Sequence, residues 1–581
     1  MQTCFSNNTE TMKLLNRLSL LAVMLLSLAA CVDKEPDYGN FPGKDVDFTY
    51  NVDGDEYALD FYVVSTIQFN NTSAKSGTPH WDFGDGTSST EASPKHKYHE
   101  AGLYKVSLTL DGVGTRTYPL LIYDIAPIVS VTEQSAPTVV INDVTVHLGI
   151  ELPNPENLEC AYEWTFPEGT MTADGTPITT FKGADPGDLK FRNIGSQRIE
   201  LKTYFDVNGE NRRLQDSYVN VQVGSSTPAP TLYYAELGGN IKAYKLINEE
   251  DLPQGSKNMP FDMGVSSGNM PTTLVFAVEK TTTDEGVTEQ DNVYILDCGK
   301  QYYYVNDENG TLGDGKITVM SADGTNVNVM ITNVGQQAFN DPFQGFADDT
   351  YLYYTDRNTG IRRIPLSTRG EVEQTEFHST AGYFVINNQL SYYGQGIAYG
   401  AIHTGIYIDK SGMFWWGKNY SGYGIYRFSV SDIGKTAAGT PVPHPVVLAT
   451  TQPRAFTLDE DLGNLYVWMT KGTTPGVGFT HYKIPALDKT VEYPDFEKFI
   501  EKDADPNNTT DAEGVYTTQM ADDHNDADHR VYFGFRAAAS EKNYQTGLSF
   551  YNPTTGKIQC FHGNSDKILG VCINPRLTQL F

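Results

Sequence analysis

Long apolar runs are almost missing from this chain. The one present, Leu18 to Leu28, is too short for a spanning helix, which needs about 20 residues. Cysteine is scarce: 6 in 581 residues. Beyond Cys4 and Cys31 only Cys160, Cys298, Cys560 and Cys572 remain, scattered, which excludes a disulfide framework. Cys560 and Cys572 are close enough to bridge on neighbouring strands, and buried thiols are the alternative. No CxxC or Cys/His metal spacing occurs. Basic residues are outnumbered, 42 Lys and Arg against 72 Asp and Glu, for a net charge of −30. Such a charge repels nucleic acid and anionic lipid, so neither is expected as a partner. Helical patterning is nearly absent, with one modest candidate, Tyr493 to Lys502, read as a loop insertion. Also lacking are a Gly-x-Ser-x-Gly elbow, a His-Glu-x-x-His helix and a Ser-x-x-Lys motif. No catalytic residue, cofactor or metal site is therefore expected. Paired carboxylates hidden among the acidic residues are beyond sequence reasoning.

What is present begins at the N-terminus. Lys13 and Arg17 precede the apolar run, which ends in Leu28-Ala29-Ala30-Cys31. Basic, apolar and small-residue segments in this order form a secretory signal. With cysteine at the cleavage position, it resembles a bacterial lipoprotein lipobox. That resemblance implies cleavage before Cys31, acylation of Cys31 and a mature chain anchored to a membrane. Each buried acyl CH₂ contributes about 0.8 kcal/mol, so two or three chains hold firmly. Val32-Asp33-Lys34-Glu35-Pro36-Asp37 resembles the acidic export signal of Bacteroidota-type surface lipoproteins; an ordinary solvated tether over 31–44 is the bland alternative. Met12 begins a more conventional signal than Met1 does.

Tyrosine is abundant, 36 residues against 5 Trp, and with glycine and few helical patterns it indicates an all-β chain. From Asp45 to Asp124 short period-two runs alternate, as in Tyr104-Lys-Val-Ser-Leu-Thr-Leu110, the mark of a sandwich. Trp81 and Phe83 of Trp81-Asp-Phe-Gly-Asp-Gly86 fall on one face and fill a core. Gly84-Asp85-Gly86 makes the tight turn. With Pro94, His96, Tyr98, Gly102 and Tyr104, this set resembles a PKD domain, an immunoglobulin-like fold. His80, His96 and His99 are read as strand-end and turn residues. Residues 125–223 repeat the theme through Tyr162-Glu-Trp164-Thr-Phe166 without the Gly-Asp-Gly turn, a PKD-like domain. Both modules are read as spacers. Gly224 to Pro230 reads as a flexible to semi-extended linker.

After it, aromatic strands beginning at Leu232, Val293, Leu352, Met413, Leu465 and Val531 recur 52–66 residues apart. Several have a partner strand, such as Gly424-Ile-Tyr-Arg-Phe428. Each unit has room for about four strands, so residues 231–581 are expected to form a β-propeller of six to eight blades. A large sandwich or jelly roll is the rival.

Propellers bind ligands where loops of several blades converge. The best aromatic cluster is Trp415, Trp416, Tyr420 and Tyr423, on a strand end entering a glycine-rich loop, where a flat ring would stack on a sugar. Neighbours on a strand point oppositely, so one of Trp415 and Trp416 is expected in the core and the other exposed. Tyr392 and Tyr393 are weaker candidates, as is Tyr302-Tyr303-Tyr304. Asp503 to Gly514 starts like a calcium loop but lacks its Gly and Glu. Asp522-Asp-His524-Asn-Asp526-Ala-Asp528-His529 reads as a solvated hairpin loop, with cation binding as the alternative.

Lipid anchor, PKD stalk and distal binding domain together resemble surface lipoproteins of Bacteroidota nutrient-uptake systems. The resemblance implies a non-catalytic outer-membrane protein that captures a carbohydrate or other small nutrient and passes it to a TonB-dependent transporter with its lipoprotein lid. The alternatives are a propeller hydrolase or lyase with PKD accessory modules and a protein-docking scaffold. Channel-facing carboxylates about 5–10 Å apart would favour the hydrolase.

Overall fold

A computed structural model describes residues 44–55, 60–152, 159–207, 210–302, 305–306, 314–332, 341–356, 360–370, 383–387, 403–418, 424–438, 440, 442, 445–449, 453–469, 478–490, 515–517, 519–524, 526–537, 547–563 and 568–581. Described residues are nearly all β; the α-helix among them is Ile433–Ala437. No helix among them is long and apolar enough to cross a membrane. They form two compact units. One holds residues up to Pro127 with 152–160 and 203–215; the other holds 128–151, 161–202 and 216–581.

In the first unit, strands Phe48–Val52, Ile67–Asn71 and Lys95–His96 form one sheet. The other contains Phe61–Tyr62, Gly114–Tyr123, Gly102–Leu110, Pro79–Asp82 and Ser88–Ser89. The expected alternation holds: Trp81 and Phe83 are buried in the same core as Phe48, Phe69 and Val106. Gly84 and Gly86 take φ of +79° and +89°. A Cβ at Gly84 would stand 2.7 Å from the Lys105 carbonyl oxygen, so the turn needs glycine there. Asp85 accepts from the Thr87 amide at 2.9 Å and meets His96 Nε2 at 2.7 Å. His96 also stacks on Phe83, which gives it the structural role expected.

In the second unit, Trp164 is buried and its Nε1 donates to the Gly183 carbonyl at 3.0 Å. The stretch expected as a flexible linker is bonded in place: the Gly224 amide donates to Val139 and the Ser225 amide to Gln579. At Gly195, φ +109°, the backbone comes so near Met259 that a Cβ would lie 2.5 Å from its carbonyl oxygen. One apolar core runs from Trp164 and Ile199 through Tyr233 to Leu274. Residues 128–151 and 161–202 are therefore packed on the C-terminal sheets rather than strung before them.

Those sheets are antiparallel meanders. The first contains Phe261–Ser266, Asn240–Lys245, Ala229–Glu236 and, from the far end of the chain, Ile568–Thr578. The second runs Pro271–Thr283, Gly286–Asp297, Lys316–Ser321, Val327–Thr332. The third is Pro342–Ala347, Tyr351–Asp356, Gly360–Pro365, Phe384–Asn387; the fourth is His403–Ile408, Met413–Lys418, Gly424–Ser429, Val446–Ala449. The fifth is Pro453–Asp459, Asn464–Met469, Gly478–Lys483. In the sixth, Val531–Ala537 pairs with Met520–Asp522, Val515–Tyr516 and Gly547–Asn552, which pairs with Lys557–Gly563. The six aromatic repeats seen in the sequence fall in one strand of each sheet.

These strands are buried on both faces. Leu352 and Tyr354 pack on the second sheet, Tyr353 on the fourth. Leu232 and Tyr234 pack on Tyr532 and Leu548 of the sixth sheet, while Tyr233 and Ala235 pack on the second. Each sheet therefore packs on the next, and the sixth packs on the first.

Candidate functional site

The opening strands of the second to fifth sheets, with Met520–Asp522 of the sixth and Ile568–Thr578 of the first, line a cavity of about 350 Å³. Its wall includes Phe276, Phe346, Tyr407, Phe456, Gln519 and Asp522. Glycine lets these strands converge. Gly405 takes φ +80°, and a Cβ there would stand 2.5 Å from the Phe456 ring. Gln519 ties three sheets together: its Oε1 accepts from the Leu274 amide at 2.8 Å and the Val571 amide at 2.9 Å, and its Nε2 donates to the Leu274 carbonyl.

Aromatic and acidic groups meet where three of these strands end. Tyr407 and Phe346 have ring centroids 5.0 Å apart. The Tyr407 hydroxyl donates to Glu460 at 3.4 Å, and burial, then Glu460 and Asp522, push it above the ordinary phenol range. Asp522 ends its strand with a side chain 2% exposed and lies 2.9 Å from His524 Nδ1. Burial, the dominant cause, pushes its carboxyl up to about 6 despite His524. Contact with Asp522 raises His524 in turn, against burial. Asp459, fully buried, lies 3.2 Å from His529 Nδ1. Lys410 binds Asp461 at 2.8 Å. The loop read as solvated therefore supplies buried groups.

The two tryptophans of the aromatic cluster proposed from the sequence do not form a surface. Trp415 and Trp416 are both fully buried. They do point oppositely, but each meets a neighbouring sheet. Trp415 packs with Leu465 and Phe456 of the fifth sheet, and its Nε1 donates to Asp409 at 2.7 Å. Trp416 packs with Tyr353 and Ile361 of the third and stacks on Tyr426. Alternation leaves one face free only where a sheet has one neighbour; here it has two. Tyr392, Tyr393, Tyr420, Tyr423, Tyr303 and Tyr304 lie outside the described residues, as do Cys31, the 503–514 segment and the helix expected at 493–502. Cys572 is a buried thiol, not half of a disulfide.

Sequence reasoning missed Phe346, Tyr407 and Phe456. They sit on the strand just before each aromatic repeat, in Phe343-Gln-Gly-Phe-Ala347, Thr404-Gly-Ile-Tyr407 and Arg454-Ala-Phe-Thr457. A glycine or small residue one or two positions before an aromatic is the signal that would have located them.

Residues 61–118 match the PKD domain family, inside the segment 45–124 whose tryptophan strand and turn resemble a PKD domain. No curated protein sequence matches the chain. Among solved structures it is similar to a quinonprotein alcohol dehydrogenase-like protein from Bacteroides thetaiotaomicron, at 12% identity, covering 76% of this chain and 98% of that one, TM-score 0.35. It is similar also to a protein of unknown function from Bacteroides caccae, at 11% identity, covering 60% and 100%, TM-score 0.31. A DUF4784 family protein from Bacteroides caccae matches at 9% identity over 76% and 99%, TM-score 0.20.

Proposed function

We propose that the six sheets are the blades of a six-bladed β-propeller and that the chain is a non-catalytic binding protein of the outer cell surface. In this reading it is lipid-anchored through Cys31 and captures a nutrient, a glycan, for a TonB-dependent transporter and its lipoprotein lid. The observation that carries the reading is a ligand-sized cavity walled by strands of all six sheets. Phe346 and Tyr407 offer ring faces for the C–H face of a sugar, and Tyr407, Asp522 and His524 offer hydrogen-bonding groups. Tyr392, Tyr393, Tyr420 and Tyr423 remain candidate contacts.

Calorimetry of the purified mature protein against an oligosaccharide panel tests this. One glycan class should bind, Tyr407→Ala should abolish binding, and the glycan should be recovered uncleaved. A Cys31→Ala variant should leave the membrane fraction. A panel with no binder, or binding untouched by Tyr407→Ala, would overturn the assignment.

One observation favours a hydrolase instead: carboxylate oxygens of Asp459 and Asp522 lie within 4.8 Å of each other, close to the separation of about 5–5.5 Å in retaining glycosidases. Asp459, however, is fully buried, and a nucleophile must reach the sugar. Release of reducing sugar that Asp459→Asn abolishes would establish the hydrolase reading.

A further inference from the structure

We infer that Asp459, Asp522 and His524 form a site for one divalent transition-metal cation, of which zinc is the type. Asp459 ends Pro453–Asp459 and Asp522 ends Met520–Asp522, so neighbouring sheets deliver both carboxylates, and His524 follows in the next turn. One donor atom from each residue lies within 4.8 Å of the other two. Side-chain rotation closes that spread onto a shell with bonds of about 2.0–2.2 Å.

A second observation, separate from this clustering, points to a ligand. Oδ1 of Asp522 has no hydrogen-bond partner, although the side chain is 2% exposed, while Oδ2 faces His524 Nδ1 at 2.9 Å. Asp459 differs: its Oδ1 accepts from the Leu462 amide at 2.9 Å, and its buried Oδ2 makes no hydrogen bond of good geometry, with His529 Nδ1 3.2 Å away. A buried carboxylate oxygen without a donor is costly, and a bound cation meets that need directly. Two carboxylates and one imidazole suit zinc. Calcium takes six to eight oxygens, more than this site offers, and magnesium keeps several waters.

His529 acts as a positioning residue. Its Nδ1 lies 3.2 Å from Asp459 Oδ2, and its left-handed backbone, φ +50°, is held by its amide bonding the Asp526 carbonyl at 3.0 Å. Asp522 and His524 also line the cavity, so the remaining coordination positions are reachable from it. The site stands whether or not the cavity binds a glycan, because its test uses metal alone.

The test strips the full mature protein with a chelator and titrates Zn²⁺ against a chromophoric competitor. One ion should bind per chain and raise the thermal midpoint. Asp522→Asn and His524→Ala should weaken binding by more than roughly 100-fold, and His529→Ala by roughly 10–100-fold, the usual effect of an outer partner. His524 is 43% exposed, so its truncation spares the fold, which circular dichroism verifies. His147→Ala is the control for surface chelation, since His147 meets Asp188 at 2.9 Å and Asp185 at 3.6 Å elsewhere; binding should not change. No bound ion, equal loss in His147→Ala, or uptake of Ca²⁺ in preference to Zn²⁺ would overturn the inference.

Discussion

Replacing Arg362 by methionine should destabilise the C-terminal unit by about 3–5 kcal/mol. Arg362 and Asp356 are 1% and 0% exposed, and Nε donates to Oδ2 at 2.8 Å. The other Asp356 oxygen accepts from the Asp341 amide at 3.0 Å, and the guanidinium lies 4.1 Å from the Phe384 ring centroid. Methionine keeps most of the apolar stem but takes the guanidinium charge away from the buried carboxylate, which costs about 3–5 kcal/mol. The double variant Arg362→Met/Asp356→Leu removes both charges. It should recover all but about 1–2 kcal/mol, the remainder reflecting the Asp341 amide left without its acceptor. Coupling between the sites is then about 2–3 kcal/mol or more, read from a double-mutant cycle. Because the chain holds two compact units, a single global transition is the wrong readout. Hydrogen exchange of peptides covering 351–365 reports the right sheet. A single variant within 1 kcal/mol of the parent, or a double variant no better than the single, would refute the reasoning.

Trp415→Ala should cost about 3–5 kcal/mol by opening a cavity between the fourth and fifth sheets. In calorimetry any variant that still folds should keep the parent's affinity for the cavity ligand. Gly84→Ala should lower the midpoint of the PKD transition by several degrees in scanning calorimetry, because a Cβ meets the Lys105 backbone at 2.7 Å with φ at +79°. Burial pushes the Lys245 amine down to about 7, and its partners are the neutral oxygens of Ala229, Thr231 and Thr578. The unfolded chain keeps that proton up to about 10.4, so between these values it binds more protons than the folded state. Stability should rise with pH across that window, by at most about 1.4 kcal/mol per pH unit. Lys245→Met should remove this contribution from denaturant midpoints measured at pH 7 and 9.

The tryptophan strand, the Gly-Asp-Gly turn and the six aromatic repeats were all legible in the sequence. Each is local: alternation and turn chemistry act over a few residues, and the PKD match and the sheet register agree with them. The opening strands of the sheets were not legible. Their glycines and scattered aromatics carry no strong period, and their meaning comes from converging on one cavity. Trp415 and Trp416 misled for a related reason, since a strand's pattern cannot say how many sheets lie over it.

By itself the amino-acid sequence determined the β character, the first sandwich's core and the spacing of the repeated strands, because these rest on the geometry of neighbouring residues. Tertiary structure alone decided that both tryptophans are core and that residues 128–202 are, in large part, welded to the C-terminal sheets. It also decided that Asp459 and Asp522, far apart in the chain, share one dry corner. Those outcomes depend on which sheet covers which face and on how much water is excluded, and no run of residues encodes either locally.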